Sequence, residues 1–462
     1  DILLADMEMV RQVGAELGLF LNEQKCEVIT DDPEVIAKFK AYSPTIIHTQ
    51  TANASLLGAP IGSGVGVDEA LKANITELGR LCNRLKELST HDAFFLLKNC
   101  FSLPKLLYML RCSPCYQSHV LLDYDILIRD TLQSILNINL TETVWNQATL
   151  PVRNGGLGIR KATEVALPAF LASIASSCEL MLHILPVRFH DSAGSKDPAF
   201  NVAVNEWKSQ SGLSVPPLLI SKQKSWDLPL VGVTSERVWS AAQNQAGIAR
   251  LTAAAAPHSG AFLQALPCSA VGTRLDDMSL RIAVALRLGA PICMPHTCIC
   301  GQTVDSSGTH GLSCRKSAGR HMRHGLLNDL VKRGLAAAGI PSRLEPTYIT
   351  RSDGKRPDGM SMMAWKNSKF LVWDVTCPDT LAPSYLNHAV AGPGAVANVA
   401  ESRKHAKYAE ISQTHYFVPV AVETIGAMGE EATAFLKDLG GRIAAETKEG
   451  RATEFLMQRV SV

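Results

Sequence analysis

Apolar positions in this chain follow two periods, and the change from one to the other organises it. Over residues 2–19 they recur at helical spacing, with Leu3, Met7, Val10, Val13 and Leu17 on roughly one face; Gly18 then precedes a short strand predicted around 26–29. A helical pattern fills 67–137, and 150–160 is a glycine-dense turn with no Gly-Lys-Ser/Thr to make it a phosphate loop. Residues 192–227 are rich in Ser, Pro and Lys with weak periodicity, which predicts a linker or flexible insertion and a domain separation there. Helical spacing returns over 278–288, with Arg281 and Arg287.

Near the C-terminal end the period shortens. Residues 360–365, a turn at Lys366-Asn367-Ser368 and residues 369–376 predict a hairpin. The second strand is apolar and β-branched on both sides of one acid, Asp374, which predicts a buried strand whose carboxylate needs a partner. Asp358 precedes the first strand. Two acids on adjacent strands raise each other's pKa unless a cation sits between them, and a hard divalent ion such as Mg²⁺ is the usual answer. A helix is predicted over 396–411, with Lys404, Lys407, Tyr408 and Ile411 sharing a face. A strand over 415–422 and a helix over 430–446 complete the order strand, strand, helix, strand, helix. A lysine facing two acids suits metal-assisted phosphodiester cleavage, where it offsets charge on the transferring phosphate. The plain alternative is an Asp bonded to its own turn and solvated lysines; the setting of Asp374 in a buried strand favours chemistry.

Cys298, Cys300, His310 and Cys314 form Cys-x-Cys-x₉-His-x₃-Cys, with Gly301 and Gly308 to turn the backbone, and read as a structural zinc knuckle. Free thiols in a loop are the alternative. The other cysteines lack framework spacing, and Cys26, Cys82, Cys100 and Cys178 suit buried thiols. Arg315, Lys316, Arg320 and Arg323 follow the cluster as a basic patch able to hold a nucleic-acid backbone, or as a solvated helix start.

Composition changes this picture little. At 462 residues the chain can hold two or more domains, and 46% hydrophobic with 19% charged residues is ordinary globular usage. A net charge of +2 gives no global basic signal, so nucleic-acid contacts must come from local patches. No apolar run is expected to span a membrane and no signal peptide is evident, which predicts an intracellular protein, nuclear or cytoplasmic.

Arg356-Pro357-Asp358, then Asp374, then Lys404 with Lys407-Tyr408 resemble the restriction-like endonuclease of site-specific non-LTR retrotransposons, a distant relative of the PD-(D/E)xK nucleases. The resemblance implies Asp358 and Asp374 as magnesium ligands, Lys404 or Lys407 as the catalytic lysine, and Arg356 beside a phosphate or Asp358. In the wider superfamily the lysine lies two residues after the second acid, where this chain has Thr376; the retrotransposon branch moves it to the following helix. Glu345 is the nearest candidate for a further upstream acid. In the same family a Cys₃His cluster directly precedes the nuclease. Upstream, residues 17–28 and 57–62 resemble the late palm of non-LTR reverse transcriptases, 101–108 the start of their thumb, and 260–288 the linker before the zinc cluster.

The implied architecture is multidomain: end of palm over 1–62, thumb-like helical domain over 63–190, linker and helical region over 191–290, zinc knuckle and basic segment over 291–325, and a restriction-endonuclease-like α/β domain with a central mixed sheet over 326–462. The implied function is a Mg²⁺-dependent DNA endonuclease that nicks target DNA to prime reverse transcription. DNA and the element RNA are its partners, and a homodimer is left open. The polymerase Asp-Asp pair would lie before Asp1, so this chain is not expected to polymerise by itself. A non-catalytic nucleic-acid-binding scaffold is the alternative, and a zinc-dependent protein-interaction module a third.

Overall fold

The structure is a computed structural model that describes residues 2–61, 64–187, 190, 196–214, 216–217, 222–317, 319–349, 354 and 356–462, the side chain of Arg320 excepted. The protein is mostly helical and divides into two compact units. Asp1–Gly79, Pro104–Leu127 and Ala162–Leu228 form the first; Arg80–Leu103, Ile128–Lys161 and Pro229–Val462 form the second.

In the first unit the predicted opening helix runs over Ile2–Glu16, but none of its side chains is buried and its apolar stripe, including Leu3, Val10 and Val13, stays exposed. The predicted strand is Glu27–Ile29, paired in parallel with Ile47–Thr49. Leu57 and Gly58, both at positive φ, make the two-residue turn of a hairpin between Ser55–Leu56 and Ala59–Pro60. Helix Ala162–Ile184 is strongly apolar, buried over its first part and exposed at Leu180, Leu182 and Ile184, and Asp125 caps its start by accepting from the Ala162 N–H at 2.6 Å. Burial pushes the Asp125 carboxyl up to about 6.

Two expectations need correction. Where a linker is predicted over 192–227, the described residues carry helix Pro198–Ser211 and the start of Gln223–Ser240. Trp207 and Trp226 are fully buried with ring centroids 5.4 Å apart, and Trp207 Nε1 donates to the Trp226 carbonyl at 2.8 Å. Two aromatic side chains anchor a stretch whose Ser and Pro content masks the helices; residues 192–195, 215 and 218–221 of it lie outside the described residues. Two helical stretches, Thr90–Cys112 and Ala162–Ile184, are also long and apolar enough to cross a membrane by length and composition, where no such run is expected. In the second, 50% of the most apolar window is buried within the protein.

The second unit contains the Cys/His cluster and the Asp358, Asp374, Lys404 and Lys407 positions. Its four-stranded mixed sheet consists of β1 (Ser342–Leu344), β2 (Gly359–Lys366), β3 (Lys369–Thr376) and β4 (Tyr416–Ala421), ordered β4-β3-β2-β1. β1, β2 and β3 pair antiparallel, and β4 runs parallel to β3 with Pro419 opposite Asp374. Asn367 and Ser368, at φ 51 and 58, form the tight turn predicted between β2 and β3. Helices α1 (Gly319–Ala337), α2 (Ala395–Lys407), α3 (Glu430–Thr447) and α4 (Ala452–Ser461) flank the sheet.

β3 is the central strand, and its alternation assigns each side chain a face. Leu371, Trp373 and Val375 join the main core with Leu335 of α1, Leu436 and Leu439 of α3 and Leu456 of α4. Val372 packs on the opposite face with Ile349, Met360, Tyr408, Ile411 and Phe417. Both faces are covered, which explains the nearly unbroken apolar run that the sequence shows. Asp374 shares the phase of Val372 and so meets the Tyr408 side. The helix predicted over 396–411 breaks at Tyr408, where φ −114 and ψ 28 end α2 before a short helix, Ala409–Thr414.

Candidate active site

Asp374 is buried within β3 and its charge is met from α2 and the break that follows it. Lys404 Nζ forms an ion pair with Oδ2, and the Tyr408 hydroxyl donates to Oδ1 at 2.7 Å. Lys407 stops one residue short: its Nζ lies 4.4 Å from the Tyr408 ring centroid and donates to the hydroxyl at 2.7 Å. Of the two lysines the sequence offers, Lys404 touches the acid, while Lys407 contacts Tyr408, which in turn donates to the acid. The Tyr408 hydroxyl also lies 3.0 Å from the Arg356 carbonyl, which ties the Arg-Pro-Asp turn to α2. The Arg356 side chain itself is exposed.

Asp358 is held by the backbone flanking Asp374. Its N–H donates to the Trp373 carbonyl at 3.1 Å, and its Oδ2 accepts from the Val375 N–H at 2.6 Å. Asp358 is therefore bonded, through its backbone and its carboxylate, to the residues on either side of Asp374. His324 of α1 adds a contact that the sequence reading did not include, with Nε2 3.0 Å from Asp358 Oδ2. Burial works against the charge on Asp358, yet the bonds from His324 and Val375 hold its pKa below the ordinary carboxylate value. The bond to Asp358 correspondingly raises His324. Glu345, the further acid considered, is exposed at φ 46, and only its backbone joins the site, donating to the Asp358 carbonyl at 2.9 Å.

A cavity of about 340 Å³ adjoins the site through Lys404 and Thr376 and is also lined by Cys377, Asp379, Tyr385, Arg403, Leu312 and Ser313; neither Asp358 nor Asp374 lines it. Thr376, which stands where the wider superfamily has its lysine, thus shares a pocket with the Lys404 side chain arriving from the helix.

Leu312 and Ser313 belong to the Cys/His cluster. Cys298, Cys300, His310 and Cys314 bring their ligand atoms within 4.8 Å of one another. The first two lie on the turn of a hairpin between His296–Thr297 and Thr303–Val304, and His310 opens the short helix that Cys314 closes. Gly301 takes φ 87 there, and its N–H donates to the Cys298 carbonyl at 2.8 Å. Cys298 Sγ lies 3.8 Å from Cys314 Sγ, and Cys300 Sγ lies 3.2 Å from His310 Nε2. Zinc–sulfur bonds of about 2.3 Å at tetrahedral angles put sulfur atoms just under ~4 Å apart, so this set can hold zinc. The backbone N–H of Gln302 is the main influence that brings the Cys300 thiol down to about 7, toward the thiolate a metal needs.

The basic patch after the cluster divides. Arg315 and Lys316 are exposed, with Lys316 Nζ reaching the Ile299 carbonyl at 3.3 Å. Arg323 turns inward and donates to the Leu312 carbonyl at 2.7 Å, tying α1 to the knuckle. The side chain of Arg320 lies outside the described residues.

No protein-family profile matches the chain. Over 382 residues it is 22% identical to the retrotransposable element SLACS 132 kDa protein of Trypanosoma brucei gambiense. The match covers 80% of this chain and 28% of that protein, so the chain spans well under half the length of its relative. Along most of its length the chain is therefore similar to one part of a retrotransposable-element protein.

Proposed function

We propose that this chain carries the DNA endonuclease of a retrotransposon protein, a restriction-like α/β domain that nicks target DNA and leaves a 3′ hydroxyl for reverse transcription. The observation that carries the reading is Asp358 bonded to the residues on either side of Asp374, with Asp374 paired to Lys404, a residue that lines the adjoining cavity. The carboxylates of buried Asp374 and half-buried Asp358 offer hard oxygen donors of the kind Mg²⁺ takes, with water and substrate phosphate completing its shell. When bound there, such an ion would activate water and neutralise phosphate charge. Lys404 holds a positive charge where phosphate charge develops, and Tyr408 orients Asp374 against it. Arg403, in the same cavity, and exposed Arg315, Lys316 and Arg356 supply charge for the DNA backbone. The Cys₃His cluster, when loaded with zinc, fixes Leu312 and Ser313 as one wall of the cavity.

A second reading, a nucleic-acid-binding scaffold without catalysis, has one observation in its favour: both oxygens of Asp374 already have protein partners, so the acid is satisfied without an ion. Product chemistry separates the two. If the purified chain nicks a duplex in Mg²⁺, a separate polymerase should extend the nick directly; a scaffold binds duplex, shifts it in a salt-dependent manner and leaves no extendable end.

A further inference from the structure

Three residues that the proposed chemistry does not use form a chain of hydrogen bonds ending on Asp358, and donor–acceptor bookkeeping gives every link a direction. Trp373 Nε1 of β3 lies 2.9 Å from Asn328 Oδ1 on α1. An indole nitrogen only donates, so the Asn328 oxygen must face Trp373 and its amide nitrogen must face the other way. That nitrogen lies 3.3 Å from His324 Nδ1, one helical turn earlier, and the Asn328 side chain also bonds the Asp358 carboxylate directly. An amide nitrogen also only donates, so Nδ1 must accept and the imidazole proton sits on Nε2. His324 Nε2 lies 3.0 Å from Asp358 Oδ2 and therefore donates to it. Trp373 is fully buried and Asn328 nearly so, which anchors the far end of the chain in the core.

We infer that Trp373, Asn328 and His324 are a relay that fixes the rotamer of Asp358, with His324 a positioning residue and not a metal ligand. Its Nε2 faces Asp358 Oδ2 at 3.0 Å. The inference rests on the reading of Asp358 as a ligand for a divalent cation. Partners behind a ligating carboxylate ordinarily change metal affinity by about 10 to 100-fold. Gly359 belongs to the same device: a Cβ there would lie 2.1 Å from Cζ2 of Trp373, so only glycine lets the indole lie over the start of β2.

The test uses the full chain, with Mn²⁺ as the probe, followed by electron paramagnetic resonance. Wild type and Asp358→Asn are measured first, then His324→Ala and His324→Gln, whose amide can donate from the place of Nε2. The relay predicts Mn²⁺ affinity about 10 to 100-fold weaker in His324→Ala and within about threefold of wild type in His324→Gln. Equal affinity in wild type and His324→Ala overturns it. If Asp358→Asn binds Mn²⁺ as well as wild type, the ligand reading fails instead. The relay is then decided by nitrogen-15 NMR of the imidazole: the Nε2–H tautomer in wild type, lost in Asn328→Leu, supports it, and the Nδ1–H tautomer refutes it.

Discussion

Glu401 offers a quantitative test of how α2 is held in place. It lies one turn before Lys404, is 3% exposed, and its carboxylate accepts from the Ala432 N–H at 2.9 Å and the Glu431 N–H at 3.2 Å at the start of α3. Burial lifts its pKa from an ordinary 4.5 to about 7, with the nearby Glu431 and Glu430 charges adding to the rise and the two N–H groups opposing it. The folded protein therefore holds a proton that the unfolded chain releases between about pH 4.5 and 7, so stability must fall as pH rises through that window. At about 1.4 kcal/mol for each pH unit, the difference amounts to roughly 3 kcal/mol. Glu401→Gln keeps an acceptor for the α3 N-terminus and removes the titration. Urea unfolding of the second unit at several pH values, followed by fluorescence of Trp365 and Trp373 in chains whose other tryptophans are replaced, should show a loss of that order in wild type and a nearly flat profile in Glu401→Gln. Parallel profiles for the two proteins would refute the argument.

Other expectations follow from single contacts. Lys404→Met should lower nicking at least ~100-fold, while Lys407→Met should lower it less than ~10-fold because Lys404 bonds Asp374 itself and Lys407 bonds Tyr408; single-turnover assays compare them. Gly359→Ala should destabilise the domain by about 1–3 kcal/mol through overpacking against Trp373, measured by chemical denaturation. Zinc analysis of the purified chain should find about one ion per molecule, lost in Cys300→Ser, together with lower thermal stability.

The C-terminal elements were legible because local and tertiary signals agree there. β3 is apolar on both faces as a doubly covered strand must be, the Lys366-Asn367-Ser368 turn sits between two strong strands, and Cys298, Cys300, His310 and Cys314 meet as their spacing suggested. The sequence could name Lys404 and Lys407 but not choose between them, since the choice depends on the break at Tyr408. His324 was read only as the end of the basic segment after the cluster, and Asn328 was missed; as an i, i+4 pair of polar residues on α1 they look like any solvated helix face until the Trp373 indole is placed beneath them. The helices around Trp207 and Trp226 were missed because Ser, Pro and Lys set the local composition there, while the packing of the two buried indoles decides the structure. The apolar stripe of Ile2–Glu16 is the converse case: a strong amphipathic signal with no buried side chain.

The central claim is that Asp358 and Asp374 make a metal-dependent endonuclease. Its most direct test is nicking of supercoiled plasmid by the purified chain in Mg²⁺, Mn²⁺ or EDTA, beside a folded Asp374→Asn variant. The account predicts open-circular product that needs both the divalent ion and Asp374. Nicking that persists in EDTA or in Asp374→Asn, or tight DNA binding with no nicking by wild type in either metal, would contradict it.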